Sequence, residues 1–168
     1  MNDVSLPARR GFLARTAAAQ LAWLGLSQGA LAAAPSHPVG PVKGDRANLS
    51  PIRQIRAGDL DVGYYEAGPA LGQPVVLLHG WPYDIHSFVD VAPMLASAGY
   101  RVIVPHLRGY GSTRFVSADT IRNGQPAALA TDVVGLLDAL RIDKAVLAGF
   151  DWGARTADIV AAVWPQRV

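Results

Sequence analysis

Asp151 is the side chain whose setting says most about chemistry. It stands in Gly149-Phe150-Asp151-Trp152-Gly153, after the apolar run Lys144–Gly149 and before the apolar stretch Gly153–Trp164. That pattern fits a sharp strand-to-helix turn that lifts a nucleophile out of a sheet. Small residues two positions to either side are required there, because the turn is strained and the helix packs closely on the strand. Serine at the centre would point to ester cleavage; a carboxylate points to attack on a saturated carbon. Asp151 would lie at the carboxyl end of a strand and face a helix N-terminus, whose dipole favours negative charge. The turn alone leaves a second reading open, an aspartate that merely caps the helix.

Two further segments carry residue types of interest. His79-Gly80-Trp81-Pro82 follows the apolar run Pro74–Leu78. Taken alone it is a plausible turn, with His79 holding the loop. Leu107-Arg108-Gly109-Tyr110-Gly111-Ser112 follows another apolar run. Its glycines suggest phosphate binding only weakly, since no lysine of the phosphate-loop type is present; a rigid loop beside a site fits better. The four histidines, His37, His79, His86 and His106, show no metal-ligand spacing, and cysteine is absent. No metal or cofactor is expected, and disulfides and cysteine nucleophiles are excluded.

The elements that must position these residues alternate in type. Ile52–Ala57 and Leu60–Ala67 read as short strands joined at Gly58-Asp59. Pro74–Leu78, Arg101–Pro105 and Lys144–Gly149 read as buried strands. Ile85, Phe88, Val89, Ala92 and Leu95 repeat at helical spacing up to Gly99, and Leu129, Val133, Leu136, Leu137 and Leu140 mark a second helix. Gly153–Trp164 is a third. Strands alternating with helices imply an α/β fold, a mostly parallel sheet with helices on its faces.

Composition is that of a globular chain, 168 residues with 51% apolar and 17% charged side chains. The net charge of +2 is accounted for by Arg9, Arg10 and Arg15 against Asp3, so the body is neutral and offers no basic stripe for nucleic acid. Arg9-Arg10 precedes an alanine-rich, mildly apolar stretch, Ala17 to Ala34, containing the small-x-small triplet Ala30-Leu31-Ala32. This resembles a twin-arginine export signal over residues 1–32, although Ala8 and Ala14 depart from its usual pattern. The expected partner is the twin-arginine export machinery and the expected location the periplasm. An amphipathic extension on a cytoplasmic protein is the other reading. The stretch is too weakly apolar for a permanent membrane anchor. Residues 33–51, with four prolines, read as a mobile linker, leaving 52–168 as the folded part.

The ordered set His79-Gly80-x-Pro82, Arg108-Gly109-x-Gly111 and Gly149-x-Asp151-Trp152-Gly153 resembles the aspartate-nucleophile branch of the α/β hydrolases, from about Ile52 to Val168. Within that branch it is most similar to epoxide hydrolases, with haloalkane and haloacetate dehalogenases as close relatives. The resemblance implies that Asp151 attacks an sp³ carbon to form an ester, which a water then hydrolyses at the Asp carbonyl. It implies that the backbone N–H groups of Trp81 and Trp152 form the oxyanion hole of that second step. His79, Gly80, Pro82, Gly149 and Gly153 would be supporting residues of the pocket. The substrate would be a small apolar epoxide or organohalide, with water as co-substrate.

Several positions separate the relatives. Trp81 stands where haloalkane dehalogenases carry a halide-binding Asn, which weakens that reading. Trp152 replaces the first arginine of the haloacetate dehalogenase pattern; Arg155 matches the second and reads as a surface or packing residue. Phe150 stands where epoxide hydrolases often have His. Epoxide opening is therefore the preferred chemistry and dehalogenation the alternative.

The family places its acid and histidine after the nucleophile, and Arg155–Val168 has no room for them or for a cap domain. The expectation is an N-terminal portion whose fold stops after the elbow helix, with Lys144–Gly149 unpaired along one edge. As a free polypeptide it is expected to be poorly stable and inactive. A non-catalytic hydrolase-like binding module is the competing reading from another class.

Overall fold

The computed structural model describes residues 48–168, within a compact unit spanning Gly44–Val168. The export-signal reading and the linker reading up to residue 47 lie outside the described residues. Inside the latter's last part, Leu49 is buried at 2% exposure against Val75, Ile85 and Val104, so that part packs on the body.

Among the described residues six strands form one mixed sheet: β1 (Arg53–Ala57), β2 (Leu60–Ala67), β3 (Pro74–Leu78), β4 (Arg101–Pro105), β5 (Arg114–Phe115) and β6 (Val146–Gly149). The order is β1-β2-β4-β3-β6, with β5 paired to β2. Pairing is parallel between β3 and β4 and between β3 and β6, and antiparallel wherever β2 takes part. The expected mostly parallel sheet is thus a mixed one. The tight connection at Gly58, with φ 58°, can join only antiparallel neighbours.

Strand alternation sorts the core into two layers. Val76, Leu78 and Ile103 face α2 (Pro126–Ala139) and α3 (Trp152–Val163), where Leu129, Val133, Leu136, Leu137 and Val160 close the layer. Val75, Leu77, Val102 and Val104 face the 3-10 turn Ile85–Phe88 and α1 (Val91–Ser97), which bring Ile85, Phe88 and Ala92. Both faces of β3 and β4 are covered, which is why these strands read as continuous apolar runs.

The first predicted helix is in fact divided, a 3-10 turn over Ile85–Phe88 followed by α1. Pro93 explains the break. It has no N–H to offer the carbonyl of Val89, and its ring would collide with that carbonyl in a continuous helix. In the first turn of α1 the missing donor costs nothing. Gly99, at φ 91°, ends α1 as expected, and the Tyr100 N–H bonds to Leu95 O at 3.1 Å.

β6 corrects a second expectation. Its apolar run read as buried, yet Val146, Ala148 and Gly149 are exposed, because β6 pairs only with β3 and forms the sheet's edge among the described residues. No helix of the described residues is long and apolar enough to cross a membrane.

Candidate active site

Asp151 sits between β6 and α3 with φ 51° and ψ −119°, one of two non-glycine residues with positive φ among those described. A β-substituted residue in that region is strained by about 1–3 kcal/mol and persists only where the surroundings enforce it. The surroundings are close-packed backbone. A β-carbon at Gly149 would lie 2.6 Å from Gly153 C and 2.9 Å from Leu78 O, and one at Gly153 would overlap the Leu78 carbonyl. Both glycines are thus required to seat α3 on the end of β3. The Gly153 N–H bonds to Phe150 O at 2.9 Å, closing the turn.

The Asp151 side chain does not cap α3. It turns across to the loop after β3, where the Trp81 N–H donates to Oδ2 at 2.9 Å. Gly80 permits this approach, since a β-carbon there would fall 2.5 Å from Asp151 Cβ and 2.8 Å from Oδ2. The Trp81 N–H, then that of Trp152 and the Arg155 charge, hold the Asp151 carboxyl below the ordinary carboxylate range. The helix-cap reading is thereby replaced by a solvent-facing carboxylate bonded to the neighbouring loop.

His79 is fully buried and works as a brace. Its Nε2 accepts from the Leu107 N–H at 3.2 Å, so Nδ1 carries the proton and donates to Gly80 O at 3.3 Å. Tyr110 meets the ring edge-on with centroids 4.7 Å apart. Burial pushes the imidazole pKa down, and both nitrogens are committed. The loop after β3 is thus tied to the loop after β4.

Arg108, read as part of a rigid glycine-rich loop, has a partner that sequence spacing did not reveal. Its guanidinium grips Asp132 of α2 by two bonds of 2.6 and 2.7 Å and also donates to Asn123 O and Ala128 O. The pair is largely buried, with side-chain exposures of 9% and 14%. Asp132 raises the guanidinium's pKa, while burial pushes the Asp132 carboxyl up and the Arg108 fork opposes that rise. A cleft of about 230 Å³ beside Asp151 is lined by Gly80, Trp81, Leu107, Arg108, Tyr110 and Trp152, among others.

Among the other residues singled out from sequence, Pro82 is exposed and Trp81 is 69% exposed. Phe150 faces away from the cleft into an aromatic group with Phe88 and Tyr83, at 5.8 and 6.1 Å. Arg155 lies on the surface with its guanidinium carbon 5.5 Å from the Trp152 ring centroid. Among the described residues no group of three or more His, Asp or Glu could hold a metal.

The family model for the alpha/beta hydrolase fold matches residues 73–168. An epoxide hydrolase of Caballeronia sordidicola is 41% identical over 101 residues, 60% of this chain and 29% of its own length. A fluoroacetate dehalogenase of a Burkholderia species is 35% identical over 117 residues, 69% of this chain and 38% of its own. A crystal structure from Klebsiella pneumoniae, provisionally named an epoxide hydrolase, superposes with a TM-score of 0.71 at 69% identity, covering 74% of this chain and 41% of that one. The chain thus spans about a third of the curated relatives' length. With the family model covering more than half of its residues, the chain belongs to the α/β-hydrolase fold family.

Proposed function

We propose that Asp151 is an alkyl-accepting carboxylate that opens epoxides. The observation that carries this reading is the setting of its carboxylate: exposed, at a positive-φ N-cap position yet making no side-chain capping bond, and held through Oδ2 by the Trp81 N–H. With Oδ2 held, Oδ1 is the attacking atom. A bond forms from Oδ1 to a ring carbon, that carbon's bond to the ring oxygen breaks, and the oxygen takes a proton from solvent water, releasing hydroxide to the solvent. The product is a hydroxyalkyl ester of Asp151. In the second step water adds to the ester carbonyl, whose developing oxyanion would face the Trp81 and Trp152 N–H groups.

The second step requires a base. Among the described residues no hydrogen bond links a histidine to Asp151, and His79 has both nitrogens committed. With the described residues alone, an ester formed on Asp151 is therefore expected to persist long enough to be detected, without turnover. The epoxide hydrolase relative supports epoxide as substrate, and the fluoroacetate dehalogenase relative keeps halide displacement as the second reading. The Arg155 guanidinium lies over the Trp152 ring, which disfavours its use on a substrate carboxylate.

Intact-mass measurement after incubation with styrene oxide tests the reading. A single stoichiometric adduct, absent in Asp151→Ala, is expected. No adduct on the folded chain, or one that survives the substitution, would overturn it. An adduct from bromoacetate but none from the epoxide would favour the second reading.

Export by the twin-arginine route remains part of the proposal on sequence grounds alone. Fusing residues 1–40 to a reporter and replacing Arg9-Arg10 by Lys-Lys should stop translocation; continued export would exclude it.

A further inference from the structure

The loop joining β4 to β5 buries a histidine that the proposed ester chemistry does not use. His106 is 7% exposed, and its Nδ1 is enclosed without a hydrogen-bond partner among the described residues. The ring lies against Gly111, which has φ 49° and where a β-carbon would fall inside the imidazole. The backbone around it is tied down. The His106 N–H donates to Gly63 O at 2.8 Å, and His106 O accepts from Thr113 Oγ1 at 2.7 Å. That same hydroxyl oxygen accepts the Gly63 N–H at 3.1 Å. Ser112 Oγ is a second enclosed polar atom without a partner in this loop.

A neutral imidazole fits such a place, because its unpartnered Nδ1 is only a lone pair. Protonation would put an N–H there with no acceptor at hydrogen-bond distance, and the ring is packed against the Gly111 backbone. The charged groups that reach it do not compensate. Asp84 attracts, but its Oδ1 already accepts from the His86 N–H and bonds His86 Nδ1 at 3.0 Å, while the Arg114 guanidinium repels and the His79 and His86 rings would repel only when protonated. Burial therefore holds the His106 ring neutral to a pH below its ordinary 6.5.

We propose that His106 is an acid-triggered release for the loop 106–113, which carries Leu107, Arg108 and Tyr110 in the wall of the Asp151 cleft. Below about pH 6.5 the opened loop, in which the ring is solvated, binds one more proton than the closed one. The open population then grows about tenfold per pH unit until the buried ring itself titrates. The cleft wall would loosen on mild acidification while the sheet beneath it stays paired.

Imidazole nitrogen NMR of the chain from pH 8 to 4.5, with amide exchange at Gly63 and Thr113, tests this. One ring, identified by its loss in His106→Asn, should titrate below 6.5. Exchange at the two amides, corrected for its intrinsic pH dependence, should quicken about tenfold per unit below that value, and His106→Asn should flatten the slope by one proton. If the variant does not fold, two native rings, those of His79 and His106, should titrate below 6.5, and fewer than two doing so would overturn the proposal. A His106 ring titrating at or above 6.5, four rings titrating together, or a slope unchanged by the substitution would overturn the proposal.

Discussion

The Trp81 N–H donates to Asp151 Oδ2 at 2.9 Å, joining residues 70 positions apart across the carboxyl ends of β3 and β6. The bond stabilises the ionised carboxylate, and the sign follows directly. A carboxyl with a lowered pKa contributes to stability above its ordinary 3.8 and loses that contribution as pH falls through its own lower value. Because the group is fully exposed, the readout is its titration rather than the fold's stability. The Asp151 carboxyl carbon signal should titrate below 3.8, and a midpoint at or above that value would show that the bond does not persist in solution.

Gly80 is the glycine at which added bulk would press directly on the Asp151 side chain. A β-carbon there would press on Asp151 Cβ and Oδ2. Gly80→Ala should displace the carboxylate from the Trp81 N–H, cost about 1–3 kcal/mol by overpacking, and slow ester formation at least tenfold. Adduct formation by mass and urea unfolding would check the two parts separately. Normal ester formation would show that the loop yields and that the turn's geometry is not decisive.

Much of this arrangement is legible in the residues themselves. Leu60–Ala67, Pro74–Leu78 and Arg101–Pro105 are bounded by turn residues and match β2, β3 and β4. The glycines of the Gly149–Gly153 turn are required by local backbone crowding, which a five-residue pattern can express. His79 is readable as a brace, because a histidine next to Gly-x-Pro after a buried strand has backbone groups within reach. The rest depends on distant partners. The Arg108–Asp132 fork spans 24 positions and joins a loop to a helix, with no periodicity linking them. β5 is two residues long and exists only because Leu60 and Asp61 offer a free edge. The exposure of β6 follows from having one neighbour, the open edge expected for Lys144–Gly149, although its apolar composition by itself reads as burial.

The Arg108–Asp132 pair should be among the costliest polar contacts to break. Arg108→Ala leaves the Asp132 carboxylate buried without its cation and frees the Asn123 and Ala128 carbonyls, a loss of about 3–5 kcal/mol. Arg108→Lys keeps the charge but not the fork, and should lose roughly half as much. Replacing both residues by apolar side chains should restore much of the loss. Urea unfolding of the two single variants and the double one would show a strong positive coupling; additive losses would mean the pair is not formed in solution.

His79 makes the same kind of argument for the link between the two loops. His79→Ala would leave the buried Leu107 N–H without an acceptor and open a cavity under Tyr110, together about 2–4 kcal/mol. The pH dependence has a defined sign. A histidine held neutral by burial binds fewer protons folded than unfolded, so stability is complete above about pH 6.5 and declines as pH falls below it. His79→Asn should remove one proton from that decline while keeping a polar group near Leu107. Unfolding free energies at pH 7.5 and 5.5 would separate the two effects. If the native chain were equally stable at both pH values, neither His79 nor His106 could be buried as the structure places them.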